Sequence, residues 1–199
     1  MMPLRRTTAL LIALTAGLSV LAQGIYSYGR LAEPDLLAEI WRMAGYFTIL
    51  TNSAVLAHFA ALAAGRQFSA ARHGGLLVAI GMVGLYGQPS ITGAGPPPGL
   101  GWWADQGLHT AVPVMVALWW AAFAPKGALR WPVMLMWLVW PLAYFTYAIA
   151  RGMLTGFWPY GFLDLHQLGP AAVLRNMAQV LAAFAVLGAT VFAVARISR

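Results

Sequence analysis

Long apolar segments alternate along the chain with short connections that are basic or rich in proline and glycine. The apolar segments predict six helices, over residues 7–26, 37–64, 73–91, 104–123, 131–150 and 169–194. A helix needs about 20 residues to cross a bilayer core of about 30 Å, so each segment is long enough to span a membrane. The pattern therefore predicts an all-α polytopic integral membrane protein with a single six-helix domain over residues 1–199.

The composition favours the same class of protein. Of the 199 residues, 61% are hydrophobic and only 9% are charged, whereas about a quarter of a soluble domain is charged. The chain has no cysteine, which excludes disulfides, thiolate zinc sites and a cysteine nucleophile. The formal charge of +7 is spread over the loops, so membrane topology explains it and we expect no nucleic-acid partner.

The charges also predict an orientation, because six spans place both termini on one side of the membrane. That side holds most of the cations, namely Arg5, Arg6, Arg66, Arg72, Lys126, Arg130, Arg196 and Arg199. The opposite side holds the other arginines and every acid, namely Arg30, Arg42, Arg151, Arg175, Glu33, Asp35, Glu39, Asp105 and Asp164. Basic residues concentrate in cytoplasmic loops, so we expect cytoplasmic termini.

The first apolar segment also has features of a signal peptide. A short basic stretch precedes it, and residues 21–24 have the character of a weak cleavage site. Because the apolar run is long enough to span a bilayer, we expect it to be retained as the first helix.

Asp105 and His109 form the first candidate site. They are four residues apart, so on a helix they share one face and the carboxylate can orient the imidazole. Pro113 lies four residues beyond His109 and removes the normal helical partner of the His109 carbonyl, which predicts a bend. A histidine at the mouth of a membrane segment is a functional-site candidate, and a structural hydrogen bond between helices is the alternative.

Thr48 and Asn52 are four residues apart on the second predicted helix, with Thr51 close to the same face. Threonine and asparagine in membrane helices usually have structural roles, bonding to their own helix or to a neighbouring one. A chemical role for Thr48 requires a base, and His109 is the best placed because its helix enters from the same side. The residues able to donate hydrogen bonds to an oxyanion are Asn52, Gln106 and Thr110.

The histidines raise the question of a metal or haem. In principle His58, His109 and His166 can act as ligands, but no pair has the spacing of a recognised site. We therefore predict no metal and no cofactor.

Three short motifs occur in order between the second helix and the last. They are Tyr46-Phe47-Thr48, then Gly107-Leu108-His109-Thr110 with Pro113, then Gly156, Trp158, Tyr160, Phe162-Leu163-Asp164 and Gly169-Pro170. In these motifs the chain resembles the androgen-induced-protein family of integral membrane threonine hydrolases, and in particular its bacterial six-helix relatives. The resemblance implies that Thr48 is the nucleophile, that His109 is essential, and that the protein lies in the bacterial inner membrane.

The resemblance also implies a substrate. Animal members of the family hydrolyse fatty acid esters of hydroxy fatty acids at the branching ester. The chain departs from the animal pattern in a third loop rich in proline and glycine, and in about two extra residues between Asp164 and Gly169. The family leaves a third catalytic group open, and Asp105 is our own candidate for it, a solvated acid at a helix start being the alternative.

The sequence therefore predicts a membrane-embedded lipid ester hydrolase, with a lipid ester as substrate and membrane lipids as its surroundings. We expect Tyr144, Tyr147, Trp158 and Tyr160 to line the pocket. The alternative is a non-catalytic membrane carrier or interaction scaffold. A carrier more often shows broken helices and internal repeats, whereas only proline kinks are evident in this chain.

Overall fold

The computed structural model describes residues 2–87, 99–127 and 129–198, and within these ranges it is helical with no strand. The helices are α1 (Met2–Tyr28), α2 (Leu36–Met43), α3 (Phe47–Ala63), α4 (Ala70–Tyr86), α5 (Leu100–Gln106), α6 (Val112–Phe123), α7 (Val133–Trp137), α8 (Val139–Thr155) and α9 (Leu165–Ile197). A π-helical turn (Gly107–Ala111) joins α5 to α6, and a 3₁₀ turn (Gly161–Leu163) precedes α9. The predicted end of the segment 73–91 and the loop with Pro96-Pro97-Pro98 lie outside the described residues.

The apolar helices are those expected of a membrane protein. Three helical stretches in the described residues are long and apolar enough to cross a bilayer, namely Pro3–Tyr28, Val133–Thr155 and Leu165–Ile197. The pair α2 and α3 makes a fourth if its two members, bent by 90°, form one span. The structure thus supports an all-α protein with three to four candidate spans rather than the six that we predicted. Helix α4 is apolar but has only 17 residues, and the π turn interrupts the stretch from α5 to α6.

The break between α2 and α3 divides the helix that we predicted over residues 37–64. It falls at Gly45, where an added Cβ would lie 2.6 Å from Phe157 and 2.8 Å from an Arg151 nitrogen. The hydroxyl of Tyr144 donates to the Gly45 carbonyl (2.9 Å), and that of Tyr147 donates to the Ala44 carbonyl (3.1 Å). These bonds satisfy carbonyls that the end of α2 leaves without helical partners. The chain therefore restarts as α3 just before Thr48.

Two groups of buried side chains hold the helices together. The larger group joins α1, α3, α4, α6, α7 and α9 around Phe59, Ile80 and Trp119. The smaller group joins α8, the 3₁₀ turn and α9 around Tyr144, Phe145 and Leu163. Phe47, the first residue of α3, packs against both groups. The start of α3 is therefore fixed from two sides, immediately beside Thr48.

Candidate functional site

Thr48 lies in the first turn of α3, one residue after the helix begins. The N-cap residue Tyr46 makes no side-chain capping hydrogen bond. The first N–H groups of a helix have no partner within the helix, so those of Phe47 and Thr48 are donors directed out of its end. The threonine hydroxyl is thus held next to the positive end of the helix dipole.

His109 connects Thr48 to Asp105. Its Nε2 lies 3.4 Å from Thr48 Oγ1, and its Nδ1 lies 2.9 Å from Asp105 Oδ1. A carboxylate on the Nδ1 side stabilises the tautomer with the proton on that nitrogen, which leaves Nε2 free to accept the threonine proton. Catalytic hydrogen bonds are often longer than ideal without substrate and shorten when it binds. The order of these contacts is the one that a nucleophile, its base and a group orienting the base require.

The π turn determines where the imidazole lies. Pro113 has no N–H to offer the His109 carbonyl, and the Val112 N–H instead donates to the carbonyl of Gly107, five residues earlier. The irregularity that we predicted near Pro113 thus takes the form of a π turn, a feature found frequently at functional sites. Gly87 leaves the space that the ring occupies, because an added Cβ there would lie 2.1 Å from His109 Cδ2.

A cavity of about 870 Å³ surrounds this site, within the range of small-molecule pockets, about 300 to 1,000 Å³. Thr48, Asp105 and His109 all line it. The side chains of His109 and Asp105 are 20% and 24% exposed, so the site is accessible without being open to bulk water on all sides. Much of the remaining wall is apolar and includes Phe47, Met82, Val83, Phe145, Val180 and Phe184.

The four aromatic residues predicted to line the pocket divide into two pairs. Tyr144 and Tyr160 line the cavity. Tyr147 is not part of the cavity wall. Its hydroxyl instead donates to the Ala44 carbonyl and accepts from Arg151. Trp158 is also outside the wall and packs edge-on against His166, with ring centroids 5.5 Å apart.

The three residues proposed as oxyanion donors do not line the cavity. Asn52 is fully buried, and its side-chain amide donates to the Thr48 carbonyl at 2.9 Å. Gln106 donates to Asp105 at 3.5 Å and accepts from the Thr110 hydroxyl at 3.2 Å. All three side chains are thus bonded to neighbouring helical groups, which is the structural role common in membrane helices.

Several polar cavity residues were missed in the sequence. Gln23 of α1, Asn176 and Gln179 of α9, and Arg42 of α2 all line the cavity. Arg42 forms an ion pair with the buried Glu39 at 2.8 Å and also donates to the Tyr46 hydroxyl at 3.3 Å. Isolated amides in apolar helices and an acid beside an apolar segment were the available signals, since polar groups in membrane helices usually face a cavity or a partner.

The other histidines occupy different places. His58 Nε2 lies 3.1 Å from His73 Nδ1, and both rings are buried. With His58 bonded to His73 and His109 to Thr48 and Asp105, the two are not arranged as a pair of axial ligands. Within the described residues, no group of three or more histidine, cysteine, aspartate or glutamate side chains is arranged to hold a metal ion.

Comparisons of the chain with protein-family models, with curated proteins and with solved structures found no match in any of the three. The resemblance to the androgen-induced-protein family therefore stays a prediction from three short motifs. Two of these motifs contain Thr48 and His109, whose side chains meet in the cavity.

Proposed function

We propose that this protein is a membrane-embedded ester hydrolase in which Thr48 is the nucleophile, His109 the base and Asp105 the residue that orients the base. The observation that supports it best is the unbroken sequence of contacts from Thr48 Oγ1 through the His109 ring to Asp105, inside one largely apolar cavity. Nucleophile and base within reach of each other, with the base held by a third group, are the general signature of covalent catalysis.

The reaction proceeds through an acyl-enzyme. Thr48 Oγ1 attacks the ester carbonyl carbon while its proton moves to His109 Nε2, and the carbonyl electron pair moves onto the oxygen. The tetrahedral intermediate collapses, the C–O bond to the alcohol breaks, and His109 returns the proton to the leaving alkoxide. A water molecule, deprotonated by His109, then attacks the acyl group. The acid leaves and Thr48 regains its proton.

The proposed substrate is a lipid ester with long acyl chains, such as a fatty acid ester of a hydroxy fatty acid. The apolar walls from Met82, Val83, Val180 and Phe184 suit hydrocarbon, because buried apolar surface stabilises binding by about 25 cal/mol per Å². The reacting ester group would lie at the polar end, against Thr48 and His109.

We further propose the bacterial inner membrane as the location, with six spans and both termini in the cytoplasm. Two further segments, added to the four candidate spans obtained when α2 and α3 form one span, bring the number of spans to six. Helix α4 has 17 residues, the lower limit of about 17 for a spanning helix. The stretch from Leu100 to Phe123 continues through its π turn and carries no lysine or arginine. The positive-inside rule then orients the chain with the Thr48 site outward.

An activity-based fluorophosphonate probe tests the proposal. The purified protein should react with the probe, and peptide mapping should identify Thr48 as the labelled residue. A Thr48→Ala variant that folds normally should not be labelled. Labelling at another residue, or none under conditions in which lipid esters are hydrolysed, would contradict the assignment. Absence of both labelling and hydrolysis would favour the alternative of a non-catalytic carrier or scaffold.

A further inference from the structure

Tyr160 occupies a fixed position above the start of α3. It immediately precedes the 3₁₀ turn, and its carbonyl accepts from the Leu163 N–H at 3.0 Å. Its ring stacks on Phe162, with centroids 5.4 Å apart, and makes an edge contact with Tyr46 at 5.9 Å. Because Tyr46 is the residue that caps α3, this aromatic packing holds the Tyr160 phenol close to the first turn of that helix.

Tyr160 lines the same cavity as Thr48 and His109. Hydrogen-bonding groups of Thr48 and the Phe47 backbone are close enough to affect the ionisation of its phenol. Burial raises the pKa of Tyr160 above its ordinary value, against the opposing effect of these hydrogen-bonding groups. The phenol therefore remains protonated at neutral pH and is available as a hydrogen-bond donor. Donation from the helix N–H groups to its oxygen polarises the O–H bond and strengthens it as a donor.

We propose that Tyr160 is a catalytic residue that donates its O–H to the substrate carbonyl oxygen as that oxygen becomes an oxyanion. This inference rests on the proposed hydrolase function. When Thr48 Oγ1 attacks, the carbonyl oxygen of the substrate becomes the oxyanion, within the cavity that Tyr160 and Thr48 both line. A donor fixed in a largely apolar cavity stabilises this charge without reorganisation during the reaction.

The other hydroxyl groups near Thr48 are less suited to this role. Tyr144 also lines the cavity, but its hydroxyl donates to the Gly45 carbonyl at 2.9 Å. The Tyr46 hydroxyl accepts a hydrogen bond from Arg42 at 3.3 Å, the ion-paired residue of α2. The Phe47 backbone acts on both Tyr144 and Tyr160, but among these three tyrosines Tyr160 is the one also affected by the hydrogen-bonding groups of Thr48.

Replacement of Tyr160 by phenylalanine, assayed on a soluble chromogenic ester in detergent micelles, tests the inference. Loss of one oxyanion donor costs about 10²–10³-fold in kcat. We expect Tyr160→Phe to lower kcat by about 10²-fold with KM changed less than threefold. The matched control is Tyr28→Phe at the end of α1, which also removes one phenol oxygen but lies outside the cavity wall, and its kcat should stay within about twofold of the parent.

A thionoester substrate separates oxyanion stabilisation from packing. Sulfur accepts hydrogen bonds weakly, so the parent protein should prefer the oxygen ester, and Tyr160→Phe should lose most of that preference. If Tyr160→Phe is unstable, 3-fluorotyrosine at this position keeps the ring and hydroxyl but lowers the phenol pKa. An oxyanion donor then changes kcat, whereas a packing residue leaves it unaltered.

The outcomes distinguish the two proposals. A parental kcat and a parental oxygen-to-sulfur preference in Tyr160→Phe, with Thr48→Ala inactive, would overturn the role of Tyr160 and leave the hydrolase assignment standing. An active Thr48→Ala would overturn the hydrolase assignment itself.

Discussion

At the scale of single residues, the proposed reaction uses a threonine hydroxyl, which is a weak nucleophile without a base. In that reaction its proton moves to His109 as the bond to carbon forms, across the 3.4 Å that separates Thr48 Oγ1 from His109 Nε2. The first turn of α3 holds Thr48 in place, and Asp105 holds the imidazole. Each of the three side chains therefore has a separate and testable role.

Thr48→Ala and His109→Ala should each lower ester hydrolysis by about 10³-fold or more, and the double variant should be no worse than either alone. The two groups act as one unit, so loss of either half removes the same step. Thr48→Ser should keep part of the activity, since the hydroxyl remains and only a methyl is lost. Thermal unfolding of the detergent-solubilised variants should remain close to that of the parent.

Thr51→Ala is the control for this pair. Thr51 is buried and accepts from the Trp140 indole at 3.1 Å rather than lining the cavity. We expect a modest loss of stability and nearly parental turnover. Parental hydrolysis by Thr48→Ala would show that Thr48 serves packing alone.

Asp105→Asn should lower kcat by about 10-fold or more while KM changes little, as expected when an orienting group is lost. The amide retains the shape of the side chain but no longer stabilises the proton on His109 Nδ1. Glu33→Gln is the charge-matched control, because Glu33 is an exposed acid that is not part of the cavity wall. If the two variants had the same kcat, Asp105 would be no more than a solvated acid in α5.

Local spacing was sufficient to predict the Asp105–His109 contact, because residues four apart share a helix face. Thr48 and His109 are 61 positions apart, so spacing alone could not predict their contact. Its prediction also required the assumption that both helices enter the membrane from the same side. We predicted Tyr160 only as a lining residue of the pocket. Sequence periodicity predicts which side chains share a helix face, but it does not predict the direction of a side chain in a loop. We predicted Asn52, Gln106 and Thr110 as oxyanion donors. In the structure their side chains are hydrogen-bonded to neighbouring groups of the helices.

At the scale of helices and turns, the site depends on close approach between α4 and the π turn. The end of α4 is capped by Gly87, and the His109 ring occupies the space beside it. The sequence located this segment as glycine-rich, which suggests close packing. It did not specify which glycine faces His109, because that depends on how two helices are rotated about their axes.

Gly87→Ala should displace the His109 ring, because the new methyl would lie 2.1 Å from Cδ2. We expect hydrolysis to fall by at least about 10-fold, since an error of about 1 Å in position can cost about 10²-fold in rate. Gly127→Ala is the matched control, as a Cβ there meets nothing within 4 Å. Equal hydrolysis by the two variants would show that the ring moves aside without consequence.

The break between α2 and α3 was not apparent from the sequence. Its residues, Ala44-Gly45-Tyr46, contain no proline and lie within an apolar run that reads as one helix. Tertiary contacts determine it, since Tyr144 and Tyr147 bond the freed carbonyls of Gly45 and Ala44. Without this break Thr48 would lie in mid-helix, away from the N–H groups of a helix start.

At the scale of the whole molecule, hydrophobicity was sufficient to predict an all-helical protein with apolar segments. The number of spans was harder to predict, because it depends on bends and interruptions that composition does not record. The described helices include three to four candidate spans. The proposed count of six adds α4 and the stretch from Leu100 to Phe123 to these candidates, and its orientation rests on the charge distribution. Topology is therefore the decisive property to measure.

A reporter fused after Arg199 should read cytoplasmic, and one inserted at Pro97 should read external. The physical reason is the charge asymmetry that six spans would give, with Arg66, Arg72 and Lys126 on the side of the termini and every acid on the other. A cysteine introduced at Glu33 of the cysteine-free chain should react with a membrane-impermeant maleimide from outside, and one introduced at Gly127 should not. The opposite pattern in both assays would reverse the orientation, and water for deacylation would then have to reach Thr48 from the cytoplasm.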